Sequence, residues 1–186
     1  MTALAEKLGV RTSSASDGVK KLAEQGLVNH VTYGGITLTE TGTRAALAMV
    51  RRHRLLETFL VQELGYEWDE VHDEAEVLEH AVSNRLVRAI DEKLGHPTRD
   101  PHGDPIPSAD GAAHLPNAVV LAMAAPGQYV ISRISDADAR RLRHFADLGI
   151  TPDAMLSVSP EGTVSVNGVA VLMSLEDAQA VWLETP

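Results

Sequence analysis

The 186-residue chain contains no cysteine, so it can build neither a disulfide framework nor a thiolate metal site. It also lacks any unbroken apolar run of about 18 residues, which excludes a membrane-spanning helix of that kind. Its start, MTALAEKLGVR, has no basic stretch leading into an apolar core and a cleavage site, so it does not read as a secretory signal. These absences together lead us to expect a cytoplasmic protein. Positive charge is scarce as well: 16 Lys+Arg face 26 Asp+Glu, a formal net charge of −10. Taken as an average, that would argue against a nucleic-acid partner. The distribution argues otherwise. Residues 1–56 hold eight basic and four acidic side chains, a net of +4, and the remainder carries −14. A basic N-terminal segment on an acidic body suggests one face for a polyanion and another for cations. What is present is otherwise ordinary for a globular protein, with 44% hydrophobic and 23% charged residues. The length suffices for one large domain or two small ones.

Along the chain, LAEKLGV reads as a short helix marked by Leu4, Leu8 and Val10 and ended by Gly9. Thr12 or Ser13 can cap a second helix, with Val19 and Leu22 on its buried side and Gly26 as its stop. LVNHVTYGGITLT follows, two β-rich runs around Tyr33-Gly34-Gly35, the signature of a hairpin. Residues 1–40 are thus expected to form a winged helix-turn-helix. Two long helices come next, over roughly 41–64 and 69–94, and residues 41–95 are assigned to a helical domain. The apolar set Leu86, Val87, Ile90 and Leu94 reads equally as a dimer interface and as intramolecular core. Residues 96–117, rich in proline and glycine, read as a partly ordered linker. From 118 to 186, short β-prone runs separated by turns, with one helix at DADARRLRHFADLG, point to a small β-barrel-like domain.

Two segments carry chemistry. In VHDEAEVLEH, at 100° per residue, His72, Glu76, Glu79 and His80 fall within about a 100° arc of one helix face. Upstream, HRLLE puts His53 and Glu57 at i, i+4. Any one of these six, taken alone, is better explained as a solvated side chain. As a set they crowd anionic groups in a way that a divalent cation relieves. Imidazole with carboxylate suits transition metals, and a carboxylate-rich set leans to Mn(II) or Fe(II). The pattern is not HExxH, and no nucleophile–base pair stands out, so an enzyme is not expected. In the N-terminal segment, the second helix of a winged helix enters the major groove. Its exposed set here is Arg11, Ser13, Ser14, Ser16, Asp17, Lys20 and Lys21, hydrogen-bonding groups at the helix start with cations for phosphate. A competing reading is a winged-helix regulator of a small organic ligand, indifferent to metals.

These motifs resemble the metal-dependent repressors related to the diphtheria toxin repressor. The resemblance runs from LAEKLGV to the chain end and is most specific in MVRRHRLLETFL, VHDEAEVLEH and DPHGDPIP. LVNHVTYGGITLTETG matches the wing, and the β-rich end looks like the family's SH3-like domain. The fold implied is a mainly α winged helix-turn-helix with a helical dimerisation domain, then an SH3-like barrel. The resemblance implies two metal sites. His53, Glu57 and His72 match ancillary-site ligands. A glutamate and a glutamine from the C-terminal domain normally join them, where Asp138 and Arg141 stand here; Asp138 can ligate and Arg141 cannot. Glu76, Glu79 and His80 match the switching site. Iron-responsive members carry cysteine at the Glu76 position, so a carboxylate there implies Mn(II), with Fe(II) as the alternative and Co(II), Ni(II) or Zn(II) as stand-ins in vitro. Family members also begin with a further helix that supplies a ligand, whereas this chain starts inside the next one. The implied protein is a homodimer that binds palindromic operator DNA, takes a divalent ion as co-repressor, represses metal uptake and has no membrane partner.

Overall fold

A computed structural model describes residues 1–30, 35–112 and 116–185. The chain divides into two compact units, 1–49 and 50–186. The division falls inside a helix rather than after residue 40, because that helix begins in one unit and continues in the other.

The first unit holds α1 (Thr2–Lys7), α2 (Thr12–Glu24), β1 (Val28–His30), β2 (Ile36–Leu38) and the start of α3 (Glu40–Leu64). Ala5, Ala15, Val19 and Val28 form its small buried core. Arg11, not Thr12 or Ser13, occupies the N-cap of α2 and makes no side-chain capping bond. Leu22 stays exposed, as do Leu8 and Val10. Gly9 and Gly26 take positive φ after the two helices, as their positions in the sequence suggest. The hairpin pairs β1 and β2 antiparallel, Val28 opposite Leu38 and His30 opposite Ile36. Tyr33 and Gly34, read as its turn, lie outside the described residues. Thr39 then starts α3, its hydroxyl donating to the Gly26 carbonyl at 2.7 Å and accepting from the Gly42 amide at 3.0 Å.

In the second unit, α3 continues to Leu64, followed by α4 (Val71–Glu79) and α5 (Asn84–Lys93). The expected single helix over 69–94 is broken at residues 80–83. Ser83 turns to extended backbone there, and its side chain accepts from the Leu86 amide, starting a new helix. Leu55, Leu56, Leu60, Val71, Ala75, Ile90 and Ile106 make one core. Ile90 is therefore intramolecular core, with Val87 and Leu94 packed on it, while Leu86 is 47% exposed.

The C-terminal part is a six-stranded antiparallel sheet in the order β3-β8-β4-β5-β6-β7. Its strands are β3 (Val119–Val120), β4 (Gly127–Ile134), β5 (Met155–Val158), β6 (Val164–Val166), β7 (Val169–Val171) and β8 (Val181–Glu184). Two helices, α6 (Ala139–Asp147) and α7 (Leu175–Gln179), interrupt them. This is the expected SH3-like arrangement, closed over a second core around Phe145, Ile131, Ile134 and Leu183.

The segment read as a linker is built into the unit instead. Residues 102–107 are all buried. The His102 carbonyl accepts from the Ile134 amide at 2.9 Å, and Arg99 holds Asp153 through two hydrogen bonds. Asp104 is gripped by Arg54 from α3 and by Arg133 from β4, with Arg133 also lying 3.7 Å over the Trp182 ring. Prolines here stiffen a path anchored by the contacts of Arg99, His102 and Asp104, and that path ties the helices to the sheet.

Gly103 shows how tight the path is. Its φ is +89°, and an added Cβ would collide with the Ser132 carbonyl. Gly103→Ala should therefore destabilise the protein by about 2–4 kcal/mol in urea unfolding. Gly162→Ala, at φ +84° with open space around it, should lose only about 1 kcal/mol. Equal losses would contradict the assignment.

Candidate metal centre

Helix α3 presents His53 and Glu57 on one face, one turn apart, and α4 presents His72 and Glu79 towards them. Glu57 is fully buried. Its Oε1 lies 3.0 Å from His53 Nε2 and 3.3 Å from His72 Nδ1. His53 Nδ1 lies 2.9 Å from Glu79 Oε2, and the two imidazoles meet edge to face with nitrogens 3.2 Å apart. The loop between β4 and α6 adds Asp136, whose carboxylate is 3.2 Å from His72 Nδ1. His53, Glu57, His72 and Asp136 each offer one ligand atom, all within 4.8 Å of one another.

Without a metal ion, a proton does part of the work. Both nitrogens of His53 face carboxylates, so the imidazolium is favoured. Burial is the largest single influence and opposes that charge, but hydrogen bonds and charge from Glu57 and Glu79 together lift His53 from 6.5 to about 9. Burial pushes Glu57 upward too, and the hydrogen bond and charge of His53 more than reverse it, holding Glu57 below its ordinary value.

A second group shares Glu57. Asp100 and His102, both buried, place ligand atoms within the same 4.8 Å limit of it. His102 Nε2 lies 2.6 Å from the Trp68 carbonyl. A carbonyl only accepts, so Nε2 carries a proton and donates it there, leaving Nδ1 as the ring's other polar atom. Among the described residues, that Nδ1 and Glu57 Oε2 are two of three buried side-chain atoms with no hydrogen-bond partner, Asp91 Oδ1 being the third. Burial first, then the charges of Glu57 and Asp104, push Asp100 up to about 8 despite Arg54. Glu57 Oε2 and His102 Nδ1 thus lie beside Asp100 with no hydrogen bond to either atom. Such groups are costly to bury unless a cation or proton is shared among them, and the oxygen and nitrogen donors suit a borderline-hard divalent ion.

The remaining sequence candidates fall differently. Glu79 is in the cluster through His53. His80 is 71% exposed, with Nε2 3.3 Å from the other Glu79 oxygen, and Glu76 is exposed. Asp138 is a correction: its carboxylate caps α6, accepting from the Arg140 and Arg141 amides, and Asp136 stands beside His72 in its place. Arg141 turns away to Asp177 and Glu176. Asp136, Asp100 and His102 escaped the sequence reading, although DPHGDPIP stood out as a motif. Arg11, Ser13, Ser14, Ser16, Asp17, Lys20 and Lys21 are all exposed, around a helix whose buried side carries Ala15 and Val19.

Residues 1–36 match the iron dependent repressor N-terminal DNA-binding domain, and residues 39–108 match the iron dependent repressor metal-binding and dimerisation domain. The iron-dependent repressor IdeR of Mycobacterium tuberculosis (strain ATCC 25618 / H37Rv) is 31% identical over 178 residues, covering 88% of this chain and 77% of the relative. The chain belongs to the iron-dependent repressor family. The family comprises metal-dependent, DNA-binding transcriptional repressors and not enzymes, and this chain carries both a DNA-binding domain and a metal-binding and dimerisation domain. Another family relative, the diphtheria toxin repressor of Corynebacterium glutamicum, is 29% identical over 195 residues, 97% of this chain and 86% of that protein. A solved structure described as a manganese-dependent transcriptional repressor in complex with manganese superposes with a TM-score of 0.89 at 56% identity, covering 97% of this chain and 87% of that one. No helix among the described residues is long and apolar enough to cross a membrane.

In the metal-free protein, the His53 imidazole should titrate near 9 by NMR. Because the folded value lies above the unfolded one, the stability it contributes is complete below about pH 6.5 and is lost as pH rises through about 9. Urea midpoints measured from about pH 6 to about pH 10 should fall across that window. An imidazole titrating at its ordinary value would refute the assignment.

Proposed function

We propose that this repressor takes Mn(II) as its co-repressor, with Fe(II) as the second candidate, and controls genes of metal-ion uptake. The observation that carries the reading is the buried Glu57 carboxylate, set between the two imidazoles of His53 and His72 on one side and, on the other, Asp100 with His102, whose Nδ1 has no hydrogen-bond partner. His53, Glu57, His72 and Asp136 would hold one ion, and Asp100 with His102 extends the donor set through Glu57. Glu79 and His80 meet at the end of α4 and are linked to the first group through the Glu79–His53 contact, with Glu76 exposed one turn earlier on the same helix. All of these donors are oxygen or nitrogen, which favours the harder ions over those that select thiolate. The manganese-dependent relative at 56% identity supports the same choice.

When bound, the ion supplies positive charge that offsets the clustered carboxylates. Its other effect is exerted through the chain: α3 and α4 already pack through Leu55, Leu56, Leu60, Val71 and Ala75, and an ion shared by ligands from both helices would fix their relative placement further. A metal-fixed dimerisation domain favours one dimer geometry, and a homodimer has two winged helices with which to read a palindromic operator. In each, Ser13, Ser14, Ser16 and Asp17 face the groove, and Arg11, Lys20 and Lys21 neutralise phosphate.

With duplex DNA enriched from a random pool on the Mn(II)-loaded protein, Mn(II) should raise affinity by a factor of ten or more over chelator-treated protein, about 1.4 kcal/mol of coupling. His72→Ala or Glu79→Gln should remove most of that gain in gel shifts while leaving the circular dichroism spectrum unchanged. A protein that takes up no Mn(II) in anaerobic calorimetry, or whose DNA affinity ignores it, would not be the regulator proposed here.

A further inference from the structure

Three consecutive residues of α3 make three different attachments. His53 reaches the Glu79 side chain at 2.9 Å. Arg52 sends Nη1 to the backbone carbonyl of the same Glu79 at 3.0 Å and Nη2 to Asn84 Oδ1 at 2.6 Å. Arg51 pairs with Asp91 at 2.7 Å and donates to the Pro107 carbonyl at 2.7 Å. Glu79 is the last residue of α4, and Asn84 is the first of α5. One guanidinium thus spans the break between the two helices, while its neighbour holds α5 near its other end.

The placement has a purpose beyond tying helices together. Glu79 is gripped twice, by its side chain and by its carbonyl, from adjacent positions on α3. Any shift of Glu79 as its carboxylate is taken up is passed through the Arg52 fork to the start of α5. A guanidinium is planar with donors in fixed directions, so it transmits orientation, whereas the ammonium of lysine is a point charge on a flexible stem with no fixed donor fork. Helix α5 is the element that carries Leu86, an apolar side chain left 47% exposed within the matched dimerisation domain.

We propose that Arg52 is a positioning residue that couples the seating of Glu79 to the placement of α5, and thereby metal occupancy to self-association. The inference rests on the metal-responsive reading above. It is tested by sedimentation equilibrium of the full chain with and without Mn(II), alongside Mn(II) affinity from calorimetry, for wild type, Arg52→Lys and Asn84→Ala. In wild type, Mn(II) should tighten self-association by about tenfold or more. Both variants should bind Mn(II) within about threefold of wild type, yet lose most of that tightening. Hydrogen exchange over residues 84–93 should slow on Mn(II) addition in wild type and stay unchanged in the variants. Asn84→Ala removes one exposed contact, so it keeps the test open if the Arg52 variant folds poorly. Variants that retain the full tightening overturn the relay alone. Wild type whose self-association ignores Mn(II) overturns it as well, and wild type that takes up no Mn(II) overturns the functional reading with it.

Discussion

The arrangement depends on one buried carboxylate. Glu57 is buried, with Oε1 committed to His53 and His72 and Oε2 left without a hydrogen-bond partner, and it shares a second donor group with Asp100 and His102. A charge at such a depth is tolerated only with opposite charge or donors close by. In the metal-free protein, protonated His53 provides that compensation on one side. On the other, burial and the neighbouring carboxylates push Asp100 upward, so that side holds a proton more readily than a second negative charge. That leaves a local electrostatic need for a further proton or cation beside Glu57.

That need is distributed over distant parts of the chain, which is what makes it useful to a regulator. Glu57 and His53 come from α3, His72 from α4, Asp136 from the loop after β4, and Asp100 and His102 from the proline-rich segment. The segment is rigid where it matters: Asp100 accepts from the His102 and Asp104 amides, and Asp104 is clamped between Arg54 and Arg133. Side chains held by such supports offer donors with little freedom left to lose on binding, the usual condition for a site that discriminates. The ordinary hydrophobic cores, one among the helices and one within the sheet, hold the pieces from which the site is assembled.

Helical periodicity made part of this legible in advance. Spacings of three and four residues put His53 with Glu57, and His72 with Glu79, on common faces whatever the rest of the chain does, and the split of charge marked the N-terminal unit as the one for a polyanion. The alternation and turns after residue 118 sufficed for the sheet domain. Short-range rules failed where local choices were balanced. Ser83 ended a run of helical residues by capping the next one, and Leu22 stayed exposed although its spacing from Val19 suited a buried face.

Local chemistry alone therefore determined which side chains share a helix face and that they call for a cation. Only the tertiary structure decided which acid of Asp136 and Asp138 joins them, since one of the two had to cap α6 and nothing in an irregular loop sets the phase. Only the folded chain, likewise, turned a proline-rich stretch from connector into wall, bringing His102 and Asp100 to Glu57 across more than forty residues of sequence. Contacts of that range follow from how surfaces pack, and no periodicity encodes them.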